Sequence, residues 1–190
     1  MNKANLNALI EHLKKVDAAT FNMDYFQKVN LMPAATYEAL HECGNTACIA
    51  GHMALLPEFQ KMGGIVRYYG GPSIEVDGEE LEDSKAFAFF AGISYKEADR
   101  FIYPVFPHIE DTLRPIVDLT RMAESGEAPV DETKTILVYM VAAGWEKPGD
   151  PLPQELREWE QGKCTLASLW ENWTPSHAVR ILEYLVKHGE

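Results

Sequence analysis

Leu6-Asn7-Ala8-Leu9-Ile10-Glu11-His12-Leu13-Lys14-Lys15-Val16 sets the period on which the fold is read. Leu6, Leu9, Ile10, Leu13 and Val16 recur at helical spacing, which predicts a helix with one apolar stripe on the core and Glu11, Lys14 and Lys15 in water. The same period returns near the other end of the chain. There Thr174 is placed to cap a helix with Pro175 at its first position, and Ala178, Val179, Ile181, Leu182, Leu185 and Val186 form its buried stripe.

Between these ends, most segments are punctuated as helices. Pro33 starts a candidate through Leu40, and Asn45 or Thr46 is placed to cap a helix running to a stop at Pro57. Lys85 to Ala91 reads as a helix broken at Gly92. Ser94 and Glu97 stand at the spacing of a reciprocal capping pair, so a further helix should run to Tyr103. Others are expected from Thr112 to Glu124, Asp131 to Ala143 and Gln154 to Gln161, with Gly144 as a C-cap. The texture changes only at Ile65-Val66-Arg67-Tyr68-Tyr69. This β-prone run, followed by Gly70-Gly71-Pro72 and Ser73-Ile74-Glu75-Val76, predicts a small hairpin, with the acidic run Asp77 to Asp83 as a solvated loop after it. The fold expected is mainly α: a single globular domain over 1–190, with about seven to nine helices and a minor β-hairpin.

Composition excludes several function classes. Hydrophobic residues make up 46% and charged residues 24% of the chain, the balance of a folded protein. The formal net charge of -12 opposes attraction to phosphate backbones and anionic lipid, so direct nucleic-acid binding is not expected. An acidic surface also suits a basic partner, although solubilising charge is the plainer reading. No apolar run approaches the roughly 20 residues that span a bilayer, and the first residues lack the pattern of a secretory signal. Three cysteines without an export signal suggest reduced thiols. A soluble, cytoplasmic protein is expected.

Chemistry concentrates in His41-Glu42-Cys43-Gly44-Asn45-Thr46-Ala47-Cys48-Ile49-Ala50-Gly51-His52. If a helix begins near Asn45, Cys48 and His52 lie one turn apart on one face. With Cys43 and His41 they offer the thiolate and imidazole donors that zinc favours, though the usual tight CxxC knuckle is absent. A thiol reading is also open: Cys48 in the first turn would feel the positive helix end, and His52 would act as its base. A third reading is structural. Ala47, Ala50, Gly51 and Ala54 allow close packing, Cys48 is a small buried hydrophobe and His52 a hydrogen-bonded core group. The structural reading leads, so no catalytic residue, metal or cofactor is expected. His108, His177 and His188 read as surface or capping residues, and Glu79, Glu80, Glu82 and Asp83 lack the alternating oxygen ligands of a calcium loop. P-loop, dinucleotide, nucleophile-elbow and HExxH motifs are all missing.

Cys43 to His52 resembles the CGTxxCxAGH-type segment of a family of uncharacterised phage and bacterial proteins. Phe90-Ala91-Gly92-Ile93-Ser94-Tyr95-Lys96-Glu97-Ala98 and the TPxxAxxxL pattern at Thr174 to Leu182 follow in the same order as in that family. Asn45 stands where those proteins usually carry Thr. The resemblance implies a small accessory protein of phage or prophage origin and carries no activity with it. The function expected is therefore non-enzymatic protein-protein interaction with an unidentified partner. The alternative is a thiol- or metal-dependent enzyme centred on Cys43, Cys48 and His52. Phe87, Phe89, Phe90, Trp170 and Trp173 are candidates for a partner surface, with core packing as the competing role.

Overall fold

The computed structural model describes residues 1–23, 27–28, 40, 46–67, 71–102, 144, 154, 157–158, 161, 163 and 172–188. Within them, α1 (Lys3–Leu13) is capped by Asn2, whose side chain accepts from the Asn5 N–H at 3.2 Å. Its stripe is the expected one: Leu6, Leu9, Ile10, Leu13 and the following Val16 are buried, while Glu11, Lys14 and Lys15 are exposed. A 3-10 turn (Ala18–Thr20) leads to Phe21 and Met23, both buried in the same core. Two short pairs of residues, β1 (Gln27–Lys28) and β2 (Thr46–Ala47), then lie antiparallel.

Helix α2 (Ile49–Ala54) is buried at every position, which suits its run of apolar and small residues and leaves it no solvent face. It packs against α1, against the strand over Pro72–Val76 and against the helix over Asp83–Ala91. Pro57 does not only end this helix, as the sequence suggested. It occupies the first turn of α3 (Pro57–Lys61), where its missing N–H costs nothing. Phe59 of α3 meets Phe90 edge-on at 5.9 Å between ring centres.

The expected hairpin is a three-stranded antiparallel sheet in the order β3 (Ile65–Val66), β4 (Pro72–Val76), β5 (Glu79–Glu82). The acidic run is therefore not a loop. Asp77 and Gly78 carry φ of 53° and 82°, the combination that turns a tight hairpin with the native strand twist, and Val76 then faces Glu79 in the ladder. Helix α4 (Asp83–Ala91) follows β5 without a linker and buries Phe87 and Phe90. Gly92, at φ 62°, ends it in the left-handed conformation, and the Ile93 N–H returns to the Ala88 carbonyl.

The terminal carbonyls of α4 are closed by α1. Asn2 N–H donates to the Ala91 carbonyl at 2.7 Å, and Asn5 Nδ2 donates to the Phe90 carbonyl at 2.8 Å. The capping pair expected beyond Gly92 is present: Glu97 N–H donates to Ser94 Oγ, Ser94 N–H donates to Glu97 Oε2, and α5 (Tyr95–Ile102) follows. At the C-terminal side, α6 (Pro175–His188) lies along α1 with Ala178, Val179, Ile181 and Leu182 buried. Helices predominate among the described residues, and no helix there is long and apolar enough to cross a membrane. The helices expected from Pro33, at Thr112 to Glu124, at Asp131 to Ala143 and at Gln154 to Gln161 lie wholly or largely outside them. Gly144, expected as a C-cap, has a φ of 93°.

Candidate functional site

The Cys48 to His52 turn is built differently from the arrangement expected of a reactive thiol. Thr46 and Ala47 are extended because Ala47 pairs with Gln27 and bridges Phe21, and the Asn22 N–H donates to the Ala47 carbonyl at 3.0 Å. The helix consequently begins at Ile49. Cys48 is its N-cap, in an extended conformation with no side-chain capping bond, and not a first-turn residue. The backbone N–H groups of Gly51 and Ala50 do favour its thiolate, as a helix start should. Burial outweighs them. At 2% exposure the thiol is pushed up to about 11, so at neutral pH it is a protonated, apolar-packed group.

His52, four residues on, is fully buried, and its ring nitrogens are engaged with other partners. Nε2 lies 3.2 Å from the Thr20 carbonyl, Nδ1 lies 3.2 Å from His12 Nε2, and the ring stacks on Phe21 at 5.8 Å. A carbonyl only accepts, so Nε2 carries the proton and Nδ1 is the acceptor, which makes His12 Nε2–H the donor. Burial, reinforced by the neighbouring His12, pushes the His52 imidazole down to about 3, and the Thr20 carbonyl opposes that shift only in part. A base for Cys48 would need the Nδ1 or Nε2 lone pair, and the Nδ1 lone pair is already committed to His12.

His41 and Cys43 lie outside the described residues. Among the described residues, no three His, Cys, Asp or Glu side chains converge as metal ligands. The turn thus brings Cys48 and His52 into one core but gives neither the environment of a nucleophile. His12 and Thr20 were missed in the sequence, where nothing local pairs residues of one helix with a turn and with a second helix far along the chain.

The remaining candidates fall into place around the core. His177 acts at the start of α6, where its Nδ1 accepts from the Thr174 N–H at 3.0 Å and its ring stacks on the buried Trp173. His188 packs on Tyr184 at 4.5 Å between ring centres. Phe87 and Phe90 are core residues, whereas Phe89 is exposed. His108 and Trp170 lie outside the described residues. Compared with protein-family models, curated proteins and solved structures, the chain matches none of them.

Proposed function

We propose that this chain is a single mostly helical domain acting as a non-enzymatic accessory protein through contact with another protein, in the cytoplasm. The observation that supports this reading is the commitment of Cys48 and His52, the described donors of the richest chemical segment, to the core. Cys48 is sealed and protonated, and His52 spends both ring nitrogens on Thr20 and His12. Among the described residues, apolar side chains that face solvent include Ile65, Phe89 and Tyr95, on a chain of net negative charge. A phage or prophage setting rests on the sequence resemblance alone.

The test joins two measurements on the intact chain: affinity capture from the native host, and a turnover screen covering hydrolysis and thiol-dependent transfer. A specific partner with no turnover is the expected outcome. Turnover abolished by Cys48→Ala, with nothing captured, would replace this reading with the thiol-dependent enzyme.

A further inference from the structure

Helices α5 and α6 start on the same backbone contact, made with different chemistry. At α5, Glu97 stands third in the helix, and its Oε2 accepts from the Ser94 N–H at 3.0 Å. At α6, His177 holds the corresponding position after Thr174, and its Nδ1 accepts from the Thr174 N–H at the same 3.0 Å. A backbone N–H can only donate, so Nδ1 of His177 carries no proton and the ring is the neutral Nε2–H tautomer. The Thr174 hydroxyl lies 2.8 Å from that nitrogen, Ser176 Oγ lies 2.8 Å from the hydroxyl, and the ring stacks on the buried Trp173. A carboxylate keeps accepting through the neutral range. An imidazole accepts only while its nitrogen is bare.

Protonation at Nδ1 sets two donors against each other across that contact. It also places a cation at the positive end of a 14-residue helix, the reverse of the anion that Glu97 supplies at α5. The charged groups around α6 among the described residues do not offset this. Arg180, one turn on from His177, has the same sign as an imidazolium. Glu183 beyond it is held at 3.1 Å by Lys14 of α1, the helix packed along α6, and Lys14 also pairs with Glu11. Trp173, Thr174 and Ser176, which bond to or stack around the ring, do not titrate in this range. Further along α6, Ile181 and Leu182 are buried in the core, so the loss of this cap is felt at the first turn.

We propose that His177 is an acid-sensitive latch on α6, whose protonation undoes the first turn of the helix and uncovers Trp173. The test is NMR on the full chain at about pH 7.5 and about pH 5.5, either side of the ordinary histidine value. Long-range proton–nitrogen spectra at the higher pH should show His177 with a bare Nδ1 and a protonated Nε2. Amide exchange, corrected for its intrinsic rate, should show His177, Ala178 and Val179 losing about tenfold in protection at the lower pH, roughly the worth of one helix cap. The first turn of α5, capped by a carboxylate, should keep its protection and serves as the control within the same molecule. His177→Glu copies the α5 cap and should abolish the loss at α6. His52→Gln should retain it, which separates the latch from the pH dependence of the core. The opposite tautomer at His177, or equal protection of the α6 amides at both pH values in the parent, would overturn the proposal. So would a loss that persists in His177→Glu or disappears in His52→Gln.

Discussion

His12 Nε2 lies 3.2 Å from His52 Nδ1, joining α1 to α2 across 40 positions of sequence. Because His52 Nε2 is engaged with the Thr20 carbonyl, the proton between the two rings belongs to His12. One tautomer of His52 therefore holds three segments together, the first helix, the 3-10 turn and the buried helix.

That commitment makes stability depend on pH. In the unfolded chain His52 takes up a proton near its ordinary value of 6.5, whereas in the folded chain it resists until about 3. The unfolded state binds more protons throughout that window, so stability is fully present above about pH 6.5 and falls as pH drops toward 3. The slope contributed by this one group is about 1.4 kcal/mol per pH unit. Denaturant unfolding at a series of pH values should show it. In His52→Gln, which keeps an amide donor for Thr20 and an acceptor for His12, that part of the slope should vanish; an unchanged pH profile would show that His52 does not carry it.

Cys48 should resist alkylation in the native state. Its thiol is 2% exposed and pushed up to about 11, so both access and thiolate fraction are suppressed at neutral pH. Peptide-resolved mass spectrometry after iodoacetamide treatment should find Cys48 unlabelled until denaturant is added. Rapid native labelling at this position would mean the core opens at α2, and the thiol reading would regain its support.

The parts legible in the sequence are those whose cause lies within one turn. Ser94 with Glu97 and Gly92 after Ala91 satisfy backbone groups a few residues away and stand as read; Pro175 opens its helix as read, but Thr174 Oγ1 bonds Ser176 Oγ and His177 Nδ1 and caps no backbone N–H among the described residues. The start of α2 was misplaced for a tertiary reason: Thr46 and Ala47 are held extended by Gln27, Lys28 and Phe21, contacts that no local pattern encodes. Asp77-Gly78 is a turn signal in the sequence itself. It separates Ile74 and Val76 from Leu81 as a hairpin turn should, but the acids around it read as a solvated run. The His12 and Thr20 contacts to His52 had no signal in the sequence, since they exist only once α1 and α2 are packed.

Protein purified without chelator should carry no near-stoichiometric zinc or iron. Two of the candidate donors are spent, with Cys48 protonated in the core and His52 Nδ1 already accepting from His12. Elemental analysis decides the matter. Stoichiometric metal that disappears in Cys43→Ala, Cys48→Ala or His52→Ala would show that the turn is a metal centre and that His12 yields its contact to an ion.

Gly92→Ala should destabilise the fold for two separable reasons. The residue sits at φ 62°, which costs an L side chain roughly 1–2 kcal/mol. In addition, a Cβ there would stand 2.7 Å from the Asn2 backbone nitrogen, the atom whose N–H closes the end of α4 on the Ala91 carbonyl. Backbone cannot swing aside as a side chain can, so α1 must move, a penalty of about 1–3 kcal/mol on the scale of core overpacking. Gly78→Ala supplies the control, because that glycine also has a positive φ, 82°, but a Cβ built on it meets nothing within 4 Å. Thermal or denaturant unfolding should therefore rank Gly92→Ala below Gly78→Ala, and the gap between them measures the close approach of α1 to α4. Equal losses in the two variants would show that only the backbone conformation matters at Gly92 and that the Asn2 contact is not a fixed part of the fold.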